Sequence, residues 1–133
     1  MDRIPKRVMD SLKARFPQAE IRKWTREEEG GTVLYDIEFR QEGRKCEADI
    51  KEDGTIHNWE KEIAARDLPD VVRRTVERKY PKGVFTEIMA ITAVTSGKET
   101  LEGYEIVVKT PDKGETEVTV APDGKILEES GAR

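Results

Sequence analysis

The sequence is poor in the residues that most often carry catalysis or cross-links. Among its 133 residues there is one cysteine, Cys46, and one histidine, His57. A single cysteine forms no disulfide within the chain and supplies none of the paired spacings of metal and redox sites. No phosphate-binding loop, dinucleotide fingerprint or GxSxG elbow accompanies His57, and HNWE lacks the second histidine of a zinc-binding helix. We therefore predict that the protein is not an enzyme, has no catalytic residue and needs no cofactor.

Long apolar runs are also absent. Apolar residues make up 35% of the chain, and no stretch approaches the roughly 18 consecutive apolar residues of a membrane span. The first residues, MDRIPKRVMD, lack the apolar segment of a signal peptide. We therefore predict no membrane span. The protein is expected either to stay in the cytoplasm or to be a mature form whose leader has been removed.

Neither sign of charge dominates either half of the chain. There are 24 basic and 28 acidic residues, which gives a net charge of −4. Residues 1–64 contain 13 basic and 15 acidic residues, and residues 65–133 contain 11 and 13, so each half carries −2. No basic region is available to attract a phosphate backbone, so nucleic-acid binding is not predicted.

The clearest signal is a repeat. IPKRVMDSLKARFP at residues 4–17 returns as LPDVVRRTVERKYP at residues 68–81. In both copies apolar residues recur at helical spacing. The first proline suits the first turn of a helix, and the second disfavours helical geometry in the residue before it. The spacing predicts amphipathic helices near residues 5–16 and 69–80.

Each predicted helix is followed by segments that alternate apolar and polar residues. TVLYDIEF and KCEADIK alternate clearly in the first copy, with shorter runs EIRKWT and TIHNWEKE on either side. Glycine-containing turns separate them. YEIVV, ETEVTV and PDGKI repeat this order in the second copy, and the insertion TAVTSGKETLEG predicts a longer hairpin.

These patterns predict an α+β fold of two tandem helix–four-strand repeats, residues 1–64 and 65–133, joined as one structural unit. About eight antiparallel strands would carry both helices on one side. Because one helix covers only one face of a four-stranded sheet, the other face is left open. The predicted core comprises Val8, Leu12, Phe16, Tyr35, Ile37, Cys46, Ala48 and Ile50, and then Val72, Val76, Tyr80, Tyr104, Ile106, Val118 and Val120.

The repeated pattern resembles a known family. LP..V...(V/L)...(F/Y)P, followed by a Y(D/E)I strand and a late DG(K/T)I hairpin, is similar to PepSY-like domains, and especially to the tandem group described as β-lactamase-inhibitor-protein-like. The resemblance covers residues 4–128. It implies one broad curved sheet with the helices on its convex side, in bacterial proteins that are mostly periplasmic or secreted. Relatives include inhibitory propeptides of peptidases and an inhibitor that holds a β-lactamase on its concave face, but no specific target carries over.

The open face is the predicted functional surface. Alternation places Leu34, Asp36 and Glu38 on it, and Glu47 and Asp49 on the same face of the next strand. Counting from Ile56, alternation also turns His57 and Trp59 outward. Trp24, three residues from Ile21, is turned outward as well. Since tryptophan is enriched at binding hot spots, we predict a non-enzymatic module that binds a protein partner, with an inhibitory role implied by the resemblance. The proposed contact residues are Trp24, Leu34, Asp36, Glu38, Glu47, Asp49, His57 and Trp59.

Three alternatives remain open. A bulge or a strand end could tuck both tryptophans into the rim of the core. The acidic residues could form a small-ligand or divalent-cation site, for instance for Ca²⁺, or could simply be a solvated face interleaved with Arg22, Arg44 and Lys51.

Overall fold

The computed structural model describes residues 3–112 and 114–130. Within them it contains two α-helices, one short 3₁₀ helix at Ala65–Asp67, and eight β-strands. The helices are α1 (Lys6–Arg15) and α2 (Asp70–Lys79). The strands are β1 (Glu20–Glu29), β2 (Thr32–Gln41), β3 (Arg44–Lys51), β4 (Ile56–Glu62), β5 (Val84–Thr95), β6 (Lys98–Thr110), β7 (Gly114–Val120) and β8 (Ile126–Ser130).

The eight strands lie in chain order, β1 to β8, in one antiparallel sheet. The predicted α+β class is therefore confirmed. The chain divides into two compact units. Unit 1 extends to Lys61 and also includes Ala93–Thr100, whereas unit 2 comprises Glu62–Thr92 and the chain from Leu101 onward. That both helices lie on one side of the sheet stays a prediction. In the described residues, no helix has the length and apolar character needed to cross a membrane.

Both predicted helices are confirmed, with one residue fewer at each end. Proline stands at the N-cap of each, and the N–H groups of Phe16 and Tyr80 close the C-terminal turns on the carbonyls of Leu12 and Val76. Proline is tolerated at a helix start because the N–H groups there have no intrahelical partner. One face of each helix is buried, through Val8 and Leu12 in α1 and the matching valines in α2.

The predicted longer hairpin is present between β5 and β6, whose lengths are 12 and 13 residues. Its turn has positive φ at Ser96 (50°) and Gly97 (78°). Positive φ at both central residues is the geometry that matches the right-handed twist of the flanking strands.

The core of unit 1 lies between α1 and one face of its sheet, here called the helix-side face. Cross-strand neighbours stack there in register: Tyr35 opposite Ile50, Ile37 opposite Ala48, and Phe39 opposite Cys46. All the core residues predicted for this half are buried, with Phe39 and Ala19 in addition. The apolar residues at helical spacing in α1 and at alternate positions in the strands therefore predicted the core of unit 1 correctly.

The core of unit 2 follows the same plan, with one correction. Tyr104, Ile106, Val118 and Val120 are buried together with Val72 and Val76. Tyr80, predicted to be buried, is only partly so and packs against the edge of the cluster. Its hydroxyl donates a hydrogen bond to Glu129, because a phenol O–H needs a partner and finds one at the rim.

Candidate functional site

Trp24 lies on the helix-side face, and its predicted outward orientation is wrong. Ile21 is opposite Phe39, but the next pairs are Lys23 opposite Glu38 and Trp24 opposite Ile37, which leaves Arg22 as an extra residue. Such a β-bulge reverses the parity of every later residue in the strand. Trp24 consequently packs against the core, with its ring centroid 6.0 Å from that of Tyr35.

Trp59 is turned inward by a second bulge. Ile50 is opposite Ile56 and Asp49 is opposite Asn58, so His57 is the extra residue and Trp59 falls opposite Ala48. The predicted outward orientation of Trp59 assumed unbroken alternation and is wrong. The indole packs edge to face on Phe16, with centroids 5.4 Å apart.

A polar clamp holds the Trp59 ring in place. The Arg15 guanidinium carbon lies 4.9 Å above the ring, and Nε1 of Trp59 donates to Oε2 of Glu99 at 3.2 Å. Arg15 also donates two hydrogen bonds to Glu99, at 2.7 and 3.0 Å. Both tryptophans therefore have partners inside unit 1, and their exposure no longer argues for a contact role.

The other face of the unit 1 strands, opposite α1, is here called the open face. Asp36 lies directly opposite Asp49, and Glu38 directly opposite Glu47, so the predicted carboxylates meet in two cross-strand pairs. Leu34 lies on the same face, opposite Lys51. His57 is exposed at the bulge beside Asn58. The open face comprises Lys23, Thr25, Glu27, Leu34, Asp36, Glu38, Lys45, Glu47, Asp49, Lys51, Asn58 and Glu60.

The paired carboxylates are half-buried, and this changes their proton affinity. Burial, followed by the nearby charge of Asp36, raises the pKa of Glu47 to about 7. Burial and the charges of Asp36 and Glu27 raise the pKa of Asp49 to about 6, against a smaller opposing effect of His57. Burial, followed by the charges of Glu27 and Glu38, also raises the pKa of Asp36. Loss of water and like charges both favour the neutral acid.

Basic residues on this face offset the acidic ones only in part. The Lys23 amine lies 3.9 Å from a Glu38 oxygen, and its side chain is 75% exposed. Lys45 lowers the pKa of Glu47, but by less than Asp36 raises it. Above about pH 7 the open face of unit 1 is therefore an anionic surface.

Sequence reasoning missed Glu27 and Lys23 as members of this face. Oxygens of Glu27, Asp36 and Asp49 lie within 4.8 Å of one another. The bulge at Arg22 brings Glu27 to the open face, opposite Leu34. A signal was available in the sequence: Ile21 and Trp24 are three residues apart, and two core residues at that spacing in one strand require a bulge.

The corresponding face of unit 2 has a different character. Ile88 and Ala90 belong to its core cluster, so strand alternation puts Met89 and Ile91 on the opposite face, where both are buried. Val107, between the buried Ile106 and Val108, is opposite Glu117. The concentration of carboxylates is thus a property of unit 1.

The family is settled by a family model described as "Putative beta-lactamase-inhibitor-like, PepSY-like", which matches residues 1–57 and 33–128. The chain belongs to this family. The resemblance inferred from the repeated motif is confirmed. No curated protein sequence matches the chain.

Solved structures of similar fold include proteins of three Bacteroides species. A protein of Bacteroides eggerthii, described as "putative periplasmic", has a TM-score of 0.78 at 16% identity and covers 98% of this chain and 90% of its own. A DUF2874 family protein of Bacteroides uniformis has a TM-score of 0.75 at 14% identity, and the match covers 96% of this chain and 88% of that protein. A BLIP-like protein of Bacteroides fragilis has a TM-score of 0.68 at 17% identity, and the match covers 98% of this chain and 88% of that protein. At these identities the likeness shows the fold.

Proposed function

We propose that the protein is a non-enzymatic binding module that presents the open face of unit 1 to a basic surface on a protein partner. Membership of a beta-lactamase-inhibitor-like family supports a binding role without catalysis. The paired carboxylates support the choice of surface and of partner charge.

The facing pairs Asp36–Asp49 and Glu38–Glu47 carry the proposal. Like charges placed directly opposite each other in a sheet oppose folding. Partial burial adds to the cost, as the raised pKa values of Glu47 and Asp49 indicate. A surface that keeps this arrangement is suited to a basic partner, whose charges would offset the repulsion and speed association. Leu34, on the same face, would supply apolar contact.

Membership of the family supports the choice of partner class. We propose an extracytoplasmic protein, with a peptidase as the first candidate and inhibition as the mode of action. The fold neighbour from Bacteroides eggerthii, described as "putative periplasmic", supports a location outside the cytoplasm for this chain as well.

The test uses a charge-neutralised face and a matched control. D36N/E47Q removes two carboxylates from the open face, while D10N/E77Q removes two from the helices, where the side chains are 62% and 55% exposed. Wild type and both variants are immobilised, envelope proteins of the source organism are passed over them at low salt, and each retained protein is identified, purified and titrated.

We expect a basic partner whose affinity falls about tenfold or more for D36N/E47Q, since charge pairs at an interface contribute strongly. D10N/E77Q should bind like the wild type. A partner that binds all three equally, or no protein whose retention depends on the open face, would refute the proposed surface.

A second candidate function is divalent-cation binding at the same face. The close approach of Glu27, Asp36 and Asp49 oxygens favours it, because Ca²⁺ takes several carboxylate ligands. Thermal unfolding with and without Ca²⁺ separates the two functions: a bound cation raises Tm, and the E27Q/D49N variant abolishes that rise. Protein binding alone predicts no specific response to Ca²⁺.

A further inference from the structure

A pocket of about 370 Å³ lies in unit 1 beyond the C-terminal end of α1. The helix ends at Arg15, but the helix-side face of the sheet continues past it. There Gln41 lies opposite Arg44, and Lys61 opposite Cys46. Polar side chains thus replace apolar ones at the point where the helix no longer covers the sheet. We call this space the α1-end pocket; its volume is within the range of small-molecule sites.

Aromatic rings form one side of the α1-end pocket. Phe16 and Trp59 both line it, and the edge-to-face contact between them fixes their relative orientation. The Arg15 guanidinium stacks on both rings, 4.9 Å from each centroid, while Glu99 accepts its hydrogen bonds. The two rings, with the Arg15 guanidinium stacked on them, are therefore held in place without any ligand.

Basic residues also line the pocket. Arg44 and Lys61 are among the lining side chains, together with the acidic residue Glu42. In the described part of the chain, no carboxylate lies within ion-pair distance of the Lys61 amine. In a protein of net charge −4, two cations beside an aromatic wall select for an anionic group.

An unused acceptor lies in the same pocket. Oε1 of Gln41 is buried and has no hydrogen-bond partner among the described residues, although the amide nitrogen donates to Glu42 at 3.4 Å. Buried polar atoms nearly always have a partner. A ligand with an N–H group would supply one when the Gln41 amide rotates toward the pocket.

We propose that the α1-end pocket binds the carboxylate of an acylated amino acid or of a peptide C-terminus. The carboxylate would bind Arg44 and Lys61, the neighbouring amide N–H would donate to Gln41, and an apolar side chain would pack on Phe16 and Trp59. This site is on the helix side, so it is independent of the proposed protein-binding face.

Unit 2 shows which features are not dictated by the fold. At the corresponding end of α2 a pocket of about 440 Å³ is lined by Lys79, Tyr80 and Lys82, among others. There Glu129 takes the position of Trp59 and pairs with Lys79, 2.5 Å away. Gly114 stands where unit 1 has Arg44. Among the described residues, the contact between Phe16 and Trp59 and the unpartnered Gln41 oxygen are therefore features of unit 1 and not of unit 2.

The test measures binding of defined probes to ¹⁵N-labelled full-length protein by NMR. N-acetyl-L-phenylalanine and the tripeptide Gly-Gly-Phe each have the carboxylate and the N–H group. N-acetyl-L-phenylalaninamide is the matched probe without the negative charge. R44Q/K61Q removes both cations of the pocket, and K82Q removes an exposed cation from the pocket of unit 2 as a control.

We expect saturable shifts of the Trp59 indole and Gln41 side-chain amide signals with a carboxylate probe. Affinity should fall about tenfold or more for the amide probe and for R44Q/K61Q, because a charge-assisted hydrogen bond is lost in both cases. K82Q should bind like the wild type. Tighter binding of Gly-Gly-Phe would identify a peptide end as the source of the carboxylate, and tighter binding of N-acetyl-L-phenylalanine would identify a free acylated amino acid. No saturable shift with either carboxylate, or equal binding of the amide probe, would overturn the proposal.

Discussion

Trp59 packs edge to face on Phe16, while the corresponding residues of unit 2, Glu129 and Tyr80, are joined by a hydrogen bond. In each unit the contact joins the residue that follows the helix to the fourth strand after that helix, at a position two residues past a bulge. Trp59 is opposite Ala48, and Glu129 is opposite Val118. One structural position therefore closes one core with an apolar contact and the other with a polar one.

Replacing Trp59 by alanine should destabilise the protein by about 3 kcal/mol, near the lower end of the range for large aromatic residues in cores, since the ring is only partly buried. Urea unfolding measures this. L127A is the control, because Leu127 is 50% exposed. This variant should lose less than about 0.5 kcal/mol of stability. A W59A variant as stable as the wild type would mean that the ring does not pack on Phe16.

Removing Glu99 should loosen the clamp on Trp59. The Arg15–Glu99 pair is partly exposed, so E99Q should lower the free energy of unfolding by only about 1 kcal/mol. The Trp59 fluorescence should shift to the red, because a loosened indole is in greater contact with water. D10N, which breaks the exposed Lys6–Asp10 pair, should leave the emission unchanged. Identical spectra for E99Q and wild type would contradict the clamp.

The open face should make stability depend on pH. The pKa of Glu47 is raised from 4.5 to about 7 in the folded protein, so the folded state holds its proton more tightly than the unfolded chain. The stability due to this group is full below about pH 4.5 and is lost as the pH rises to about 7. Because the carboxyl group is half exposed, solvent screening reduces the effect, and E47Q should gain about 1 kcal/mol relative to wild type between pH 4.5 and 8.

Urea unfolding of wild type and E47Q at pH 4.5, 6 and 8 checks this prediction. E77Q, with its carboxylate exposed on α2, is the matched control and should keep the pH profile of the wild type. The prediction is contradicted if the difference in the free energy of unfolding between E47Q and wild type is the same at all three pH values.

Cys46 should resist thiol reagents in the native protein, because it is 2% exposed and lies opposite Phe39 in the core of unit 1. A large aromatic disulfide reagent should label it at the rate of unfolding, and urea should accelerate the reaction. Rapid labelling of the native protein would contradict the strand register.

The sequence predicts the elements and the core because those depend on period alone. Val8 and Leu12 lie on one face of a helix, and Tyr35 and Ile37 lie on one face of a strand. Both follow from the spacing within the element and do not depend on how it pairs with its neighbours. The two tryptophans could not be placed in this way, since one extra residue, Arg22 or His57, reverses the direction of every side chain after it.

The carboxylate pairs were predictable in part. Alternation places Asp36 and Glu38 on one face, but only the register shows that they meet Asp49 and Glu47 directly. The α1-end pocket was not predictable, because it depends on where the helix ends relative to the strands beneath it. The period of the apolar residues does not show how far the strands extend beyond the end of the helix.

Binding through the open face is tested most directly by the footprint of the basic partner on the protein, mapped by NMR at low salt once that partner is identified. We expect the perturbed signals to centre on Leu34, Asp36 and Glu47 on the open face. The footprint should disappear in D36N/E47Q but persist in D10N/E77Q. A footprint centred on α1 or on the α1-end pocket, unchanged in D36N/E47Q, would contradict binding through the open face.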